Sequence, residues 1–319
     1  MTHPAVLGAG GSPLGHIVLL AGAPERILAL RLALSSAIEP SSVVLDAGCG
    51  SLAVLSIMAA RLGARRVVAV DTGELDTARA LAAENGVINR IEFVRGDLAE
   101  LPASLGSFDV ILGMIYNNEP RSDLARQQLM AGLATRFAHS GTAFIPGTVR
   151  YTIAGYDSTD PEPAEHTLHD RWDSAVGGAE ALTGISMGVI RGFPSADYSS
   201  VVEQLSRPLS PRAARFVGAG RRGALLTSRA HFAEISYADP RTASAYPTDV
   251  ALTVTAPGRL DTAVWRQELK FGDLLIRRTD STQPVAPARD VQPGDTAILS
   301  TDARWGDTVP LTVRAGDGG

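Results

Sequence analysis

The feature that most constrains this chain is a regular alternation of strand-like and helix-like segments between residues 43 and 147. The strand-like segments are SVVLDAG, RRVVAVDT, RIEFVRGD, FDVILGM and GTAFIPG, and helical patterns separate most of them. Strands that alternate with helices at this spacing form a doubly wound, parallel α/β sheet. An earlier segment at 24–38, PERILALRLALSSAI, has apolar residues at helical spacing and predicts a helix before the sheet.

Beyond residue 150 the pattern changes to short alternating strands broken by turn residues, which predicts a β-rich second domain. These strands are RYTIAGY, AHFAEISY, DVALTVTAPG, TAVWRQELKFG, TAILST and TVPLTV. We therefore divide the chain into a first domain at 1–149, with an N-terminal helical segment, and a second domain at 150–319. A polar stretch at 157–181 is expected to protrude.

Composition narrows the class of protein. A net charge of −5 argues against a general nucleic-acid binder. The single cysteine, Cys49, excludes a disulfide framework and a cysteine-based metal site. The apolar run IVLLAGA near the N-terminus is too short to span a bilayer, so we expect a cytoplasmic protein without a membrane segment.

An acidic residue stands at the end of each of the first three predicted strands. Asp46 closes the first strand, Asp71 the second, and Asp97 follows the third. The turn DAGCGS, with Gly48 and Gly50, presents backbone N–H groups at a helix N-terminus. Ligands of doubly wound sheets bind at the carboxyl ends of the strands. Loop capping is the ordinary alternative for each acid, but three in succession favour a nucleoside pocket.

The position of Asp46 distinguishes between nucleoside ligands. A dinucleotide would place its pyrophosphate on this turn, where a carboxylate would repel it. S-adenosylmethionine carries an amino group, a ribose and an adenine, and has no phosphate. The sequence therefore predicts S-adenosylmethionine as the cofactor.

Longer segments carry a family resemblance. VVLDAGCGS, LSIMAARLGARRVVAVD, NRIEFVRGDLAELP and FDVIL resemble class I S-adenosylmethionine-dependent methyltransferases. LSTDARWGDTVPL, TAVWRQELKF and RWDSAVGGAEALTGISM resemble the protein arginine methyltransferase group, in which a β-barrel-like domain follows the methyltransferase domain. The resemblance implies a homodimer, with 157–181 as its dimerisation arm.

The residues and the resemblance together give the candidate sites. The cofactor-binding set is His16, Arg26, Asp46, Gly48, Gly50, Asp71, Thr72, Asp97, Leu98, Gly113 and Met114. The acceptor-binding set is Asn117, Asn118, Arg304 and Trp305, and the catalytic candidates are Tyr116, Glu119 and Asp123. Each catalytic candidate has an ordinary alternative: Tyr116 covers the adenosine, Glu119 faces solvent, and Asp123 complements the helix dipole.

The acidic loop departs from the group that the chain resembles. That group holds a guanidinium between two glutamates, because paired carboxylates fix its planar fork. Here the two positions are Met114 and Asp123, with Glu119 between them. Arg304 replaces a histidine and would repel a cationic acceptor. We therefore expect a small-molecule acceptor with a negative or neutral polar group, from specialised metabolism, and no metal.

Three other functions stay open. They are a peptide or protein arginine methyltransferase with a rearranged acidic loop, a cyclase or lyase that uses S-adenosylmethionine without methyl transfer, and a non-catalytic homologue. Leu52-Ala53 stands where a single glycine is expected, which predicts an irregular helix start.

The predicted arm contains two further features. A metal site at His166, His169 and Asp170 would have helical spacing but lacks a fourth ligand. We interpret the stretch as an interaction arm, and expect Trp172 to be an exposed aromatic that docks on a partner.

Overall fold

Five parallel strands form the sheet of the first domain, in the order β3-β2-β1-β4-β5. The structure is a computed structural model that describes residues 15–17, 20, 23–116, 120–158, 172–192, 223–243, 246–302 and 307–316. The strands are β1 (Val43–Ala47), β2 (Arg66–Asp71), β3 (Ile91–Arg95), β4 (Phe108–Leu112) and β5 (Ala138–Ile145). The strand order reverses between β1 and β4, which opens a crevice at their carboxyl ends. The predicted doubly wound sheet is confirmed.

Helices cover this sheet and extend the pattern seen in the sequence. They are α1 (Pro24–Ala37), α2 (Val54–Arg61), α3 (Asp76–Glu84) and α4 (Pro120–Phe137). β1 is buried at all five positions, which explains its continuous apolar run. α4 begins at Pro120, where a proline is favoured because the first helical N–H needs no partner within the helix.

The second sheet is mixed and has eight strands. They are β6 (Thr148–Asp157), β7 (Ala224–Leu225), β8 (Ala230–Ser236), β9 (Asp249–Thr253), β10 (Gly258–Phe271), β11 (Leu274–Val291), β12 (Thr296–Ser300) and β13 (Val309–Arg314). Their order is β7-β6-β10-β11-β13-β12-β9, and β8 pairs with β6. An isolated bridge between Thr227 and Val254 joins the segment after β7 to the end of β9. The sheet therefore curls into the expected barrel-like form.

Helices of the first domain pack directly on the second. α1 lies against β11, and α4 lies against a short 3-10 helix at Pro240–Ala243. At the start of α4, Arg121 Nε donates a hydrogen bond of 2.6 Å to the carbonyl of Thr301. Its NH2 group donates one of 2.8 Å to the carbonyl of Pro247. The first turn of α4 is thereby fixed to the barrel-like domain.

The described part of the predicted arm forms α5 (Trp172–Thr183), followed by α6 (Gly188–Arg191). These helices pack on α1 and α3 of the same chain. The Glu84 carboxylate accepts hydrogen bonds from the backbone N–H groups of Gly188 at 2.7 Å and Val189 at 3.0 Å. This carboxylate therefore satisfies the first N–H groups of α6.

The expectation that Trp172 is exposed was wrong. Trp172 is 6% exposed and belongs to the same buried apolar cluster as Ala175, Val176 and Ala179. Helical spacing places these four residues on one face of α5, and that face must be covered. His166, His169 and Asp170 lie outside the described residues. Within the described ranges there is no cluster of three metal-binding side chains and no helix long and apolar enough to cross a membrane.

Candidate cofactor and acceptor site

Asp46 is a buried carboxylate near the end of β1, just before the glycine turn. β1 lies between β2 and β4, so Asp46 stands beside Ala69 and Leu112. The Ser56 hydroxyl donates a hydrogen bond of 2.6 Å to its Oδ2. Burial raises the pKa of Asp46 to about 6, and the bond from Ser56 opposes this shift. A cationic ligand group would lower the pKa again, so the position suits an ammonium group.

The glycine turn brings the backbone into close contact with two side chains. Gly48 and Gly50 have left-handed backbones, with φ of 79° and 71°. A Cβ on Gly48 would lie 2.4 Å from Ile115 Cγ2, and a Cβ on Gly50 would lie 2.3 Å from His16 Cε1. Conformation and packing therefore both require glycine here. The turn is enclosed between His16 and Ile115.

Ala53 gives the helix start its irregular shape. It adopts a left-handed conformation, with φ 44° and ψ 43°, directly before α2 begins at Val54. A non-glycine residue in this region is disfavoured by about 1–2 kcal/mol. Leu52 and Ala53 are both fully buried, so packing holds the strained backbone in place. The expected irregularity at Leu52-Ala53 thus takes the form of one left-handed alanine.

Asp71 reaches from the end of β2 to the glycine turn. Its Oδ2 accepts a hydrogen bond of 2.8 Å from the Gly50 N–H, and its Oδ1 accepts one of 2.9 Å from the Gly73 N–H. Each carboxylate oxygen can accept more than one bond, so Asp71 remains suited to ribose hydroxyls. Thr72, beside it, is exposed.

Asp97 follows β3 and caps a short 3-10 helix, Leu98–Glu100. Its Oδ1 accepts a hydrogen bond of 2.8 Å from the Ala99 N–H. Its side chain is exposed, whereas Leu98 is buried. Capping is thus one role that Asp97 performs, and contact with an adenine stays a prediction.

His16 and Arg26 lie on the N-terminal side of the turn. His16 Nδ1 is 3.2 Å from Ser51 Oγ. Burial lowers the pKa of His16. The negative charge of Asp71 raises this pKa and the positive charge of Arg26 lowers it. Because burial has the largest effect, the ring is neutral at pH 7. Arg26 Nε is enclosed and has no hydrogen-bond partner among the described residues. Because an enclosed N–H without an acceptor is unfavourable, Arg26 fits the carboxylate of S-adenosylmethionine.

The segment after β4 contributes an apolar wall. The Gly113 N–H donates a hydrogen bond of 2.9 Å to the carbonyl of Ile145, and a Cβ on Gly113 would lie 2.3 Å from Met130 Cε. Met114 is half-buried and packs on the core. Tyr116 is 6% exposed, and its enclosed hydroxyl has no partner within the described part of the chain. The other candidates of this region, Asn117, Asn118, Glu119, Arg304 and Trp305, lie outside the described residues.

Asp123 lies in the first turn of α4 and is fully buried against the barrel-like domain. Its Oδ2 accepts hydrogen bonds of 2.8 Å from the Tyr151 hydroxyl and 2.9 Å from Gln267 Nε2. Its Oδ1 accepts one of 3.2 Å from Arg126. Three donors from three elements, α4, β6 and β10, therefore hold this carboxylate.

The polar cluster around Asp123 was missed by the sequence analysis. Gln127 Nε2 donates a hydrogen bond of 3.1 Å to the Tyr151 hydroxyl, and Gln127 Oε1 accepts one from the Tyr246 hydroxyl. Burial raises the pKa of both tyrosines, so their hydroxyls stay protonated. One signal was available: Gln267 occupies a buried position of β10 in register with Trp265 and Leu269. A polar side chain in a buried register indicates a hydrogen-bonded network.

Comparison with known proteins identifies the first domain. Residues 44–137, which run from β1 to the end of α4, match the family described as a methyltransferase domain. A ribosomal protein arginine N-methyltransferase of Schizosaccharomyces pombe is 39% identical over 70 residues, which are 22% of this chain. The match spans 13% of the length of that curated relative.

Two solved structures share the fold over most of the chain. Protein arginine methyltransferase 10 of Arabidopsis thaliana has a TM-score of 0.59 at 16% identity, over 97% of this chain and 95% of that one. The PRMT1 enzyme–prozyme heterotetramer of Trypanosoma brucei, in complex with AdoHcy, has a TM-score of 0.56 at 17% identity, over 89% and 86%. The chain therefore contains a class I S-adenosylmethionine-dependent methyltransferase domain, set in the two-domain layout of the protein arginine methyltransferase group.

Proposed function

We propose that this chain uses S-adenosylmethionine to methylate a small-molecule acceptor with a negative or neutral polar group. The observation that carries this proposal is the environment of Asp123. This side chain is fully buried and accepts hydrogen bonds from three protein donors. A guanidinium is recognised by carboxylate oxygens that face it. The oxygens of Asp123 face protein donors instead, and Met114 offers no carboxylate.

The cofactor, when bound, supplies a methyl group on a positively charged sulfur. The chain's own residues bind and orient it: Asp46 suits the ammonium group, Arg26 the carboxylate and Asp71 the ribose. The neutral ring of His16 packs on Gly50 and closes one side of the turn. These residues place the methyl group and keep water away, which is most of what such a transfer needs from a protein.

Fewer of the candidate residues for acceptor binding and catalysis are described than of those for cofactor binding. Tyr116 is the best candidate for direct contact, because its enclosed hydroxyl has no partner among the described residues. Asp123 is engaged by its neighbours, so we assign it a structural role in place of the catalytic one. Glu119 remains the candidate base for an acceptor that must lose a proton.

Methyl transfer from labelled S-adenosylmethionine tests this proposal. The protein is incubated with arginine-rich, histone-like peptides or with a panel of small carboxylates, phenols and amines. We expect label in small molecules and no methylarginine in the peptides. Methylarginine detected by mass spectrometry would contradict the proposal, provided that calorimetry shows S-adenosylhomocysteine binding to the same preparation.

Arginine methylation of a protein is the second candidate function. It is favoured by the fold shared with two arginine methyltransferases and by local identity to a ribosomal protein arginine N-methyltransferase. It would require a carboxylate of the acidic loop, from Glu119 or Asp123, to face the acceptor. Methylarginine in ribosomal or histone-like peptides would establish it.

We also propose that the chain forms a homodimer, as its layout suggests. The described helix of the predicted arm, α5, contacts α1 of its own chain, and α6, which follows the arm, contacts α3. Light scattering coupled to size exclusion gives the mass in solution. A monomer over the micromolar range would refute this assembly.

A further inference from the structure

Ser56 lies in the first turn of α2, the helix that follows the glycine turn. It is fully buried, and its hydroxyl donates the hydrogen bond of 2.6 Å to Asp46 Oδ2. Among the described residues, no other side chain donates a hydrogen bond to this carboxylate. The direction in which the Asp46 side chain points is therefore set by one hydroxyl.

Ser56 also acts on the charge of Asp46. Its hydroxyl and its backbone N–H both lower the pKa of Asp46, against the larger effect of burial. The N–H groups in the first turn of a helix have no partner within the helix, so this N–H is available to a carboxylate. A hydrogen bond to the charged form of an acid favours that form. Ser56 thus favours the ionised carboxylate, which is the form that attracts an ammonium group.

The other groups around Asp46 do not supply a positive charge. From β2, the negative charge of Asp71 raises the pKa of Asp46. In the glycine turn, burial raises the pKa of the Cys49 thiol, which stays protonated at pH 7. The positions of β4 that pair with β1, 110–112, are apolar, and the one ionisable side chain of α2, Arg61, stands at its far end. Within the described part of the chain, Ser56 is thus the side chain that favours the charged form of Asp46.

We propose that Ser56 is a positioning residue for the cofactor, because its hydroxyl orients the Asp46 carboxylate and keeps it ionised for the ammonium group of S-adenosylmethionine. Ser56 acts through Asp46 and does not itself have to touch the cofactor. This inference rests on the proposed function, because it concerns the binding of that cofactor.

The pH dependence of cofactor affinity tests the inference. Calorimetry with S-adenosylhomocysteine is run on the unmodified chain and on Ser56→Ala between about pH 5.5 and pH 8. The substitution removes the hydroxyl but keeps the backbone N–H, and alanine is favourable in a helix. The ligand is the same for both proteins, so its own titration cancels in the ratio of the two dissociation constants.

We expect Ser56→Ala to bind about tenfold more weakly at pH 5.5 and at most about threefold more weakly at pH 8. Without the hydroxyl, Asp46 holds its proton more tightly and must lose it before it can pair with the ammonium group. At pH 8 the carboxyl is mostly ionised in both proteins, so the difference narrows. A ratio that stays constant over this range would overturn the inference, because looser packing alone weakens binding equally at every pH.

Ser42→Ala is the matched control. Ser42 is also buried, but its hydroxyl accepts a hydrogen bond of 2.9 Å from the Glu39 N–H, directly before the start of β1. The cofactor site lies at the opposite end of this strand. The variant should bind S-adenosylhomocysteine as the unmodified chain does at each pH. The same pH-dependent loss as in Ser56→Ala would contradict a specific role for Ser56.

Two further variants test whether the effect passes through the hydroxyl and through Asp46. Ser56→Thr keeps a hydroxyl and should restore the pH profile of the unmodified chain. In the Asp46→Asn background, which has no carboxyl to titrate, Ser56→Ala should cause no pH-dependent change in affinity. A pH-dependent change that persists in that background would show that Ser56 acts on another group, and the inference would fail.

Urea denaturation without ligand separates this inference from the proposed function. The folded pKa of Asp46 lies above its ordinary value, so stability falls as the pH rises through the folded pKa. In Ser56→Ala this fall should extend to a higher pH, and identical profiles for the two proteins would overturn the inference. A chain that binds no S-adenosylhomocysteine at any pH would contradict the proposed function, and the urea profiles would still decide whether Ser56 acts on Asp46.

Discussion

Asp46 and Asp123 are both buried carboxylates, but their hydrogen-bond donors and neighbouring charges differ. Asp46 is 2% exposed, accepts a bond from the Ser56 hydroxyl, and has no basic residue among the causes of its raised pKa. Asp123 is fully buried but is bonded to an arginine, a tyrosine and a glutamine. A buried charge without a cation is unfavourable unless a ligand provides one. We infer from this comparison that Asp46 is suited to a ligand, whereas Asp123 stabilises the fold.

The largest effect is expected at Asp123. Asp123→Ala removes the buried carboxylate to which Tyr151, Gln267 and Arg126 all donate, and should lower the free energy of unfolding by about 3–5 kcal/mol. Urea denaturation measures the change. Asp173→Ala, at a side chain that is 78% exposed, is the control and should change stability by less than about 0.5 kcal/mol. An Asp123→Ala protein that is fully stable but inactive would contradict the structural role and would indicate that Asp123 is a catalytic residue.

Asp46→Asn should have the next largest effect, and in the opposite direction. The folded pKa of about 6 lies above the ordinary value of 3.8, so the folded state binds the proton more tightly. The resulting stabilisation is complete below about pH 4 and is lost as the pH rises through 6. At pH 7 the ligand-free variant, which has no buried charge, should be more stable by about 2–3 kcal/mol.

Urea denaturation between pH 4 and pH 7 measures this change. The unmodified protein should lose stability as the pH rises through this range, and Asp46→Asn should lose less. Parallel pH profiles for the two proteins would show that Asp46 is not the titrating group.

Asp71→Ala should weaken cofactor binding by about 1–3 kcal/mol, or roughly 5–150-fold. The substitution removes the acceptor for the Gly50 and Gly73 N–H groups and also the proposed acceptor for the ribose. Calorimetry with S-adenosylhomocysteine measures the affinity, and Asp76→Ala on the exposed start of α3 serves as the control. An unchanged affinity would refute the ribose assignment.

The smallest effect is expected at Ala53. Ala53→Gly relieves a left-handed backbone but removes a buried methyl group and adds freedom to the unfolded chain. These terms oppose one another, so the free energy of unfolding should change by less than about 1 kcal/mol. Ala53→Val, which places a β-branched residue at φ 44°, should be clearly destabilising. Equal melting temperatures for the two variants would contradict the interpretation that the backbone at Ala53 is strained.

The first sheet could be predicted because its signals are local. β1 and β2 are buried and almost continuously apolar, and each carries an acid at its last or penultimate position, beside the ligand crevice. The glycines of the turn are also local signals, because a left-handed backbone and a close approach both require them. These features depend on neighbouring residues and on the strand order that helices between strands impose.

The features that could not be predicted depend on distant residues. β11 was missed because Pro284, Pro287 and several charged residues obscure its alternation, although the Gly272-Asp273 turn before it is a hairpin signal. The Asp123 cluster joins α4, β6 and β10, which no sequence pattern brings together. Trp172 was judged exposed from its polar neighbours, yet its own helix buries it.

Titration of Asp46→Asn and Asp123→Asn with S-adenosylhomocysteine tests the central comparison most directly. Both substitutions remove one buried negative charge and keep an oxygen that accepts hydrogen bonds. We predict that Asp46→Asn remains folded and loses at least tenfold in affinity, whereas Asp123→Asn loses stability and, where folded, binds as tightly as the unmodified chain. An Asp123→Asn protein that loses cofactor affinity while Asp46→Asn keeps it would contradict the account.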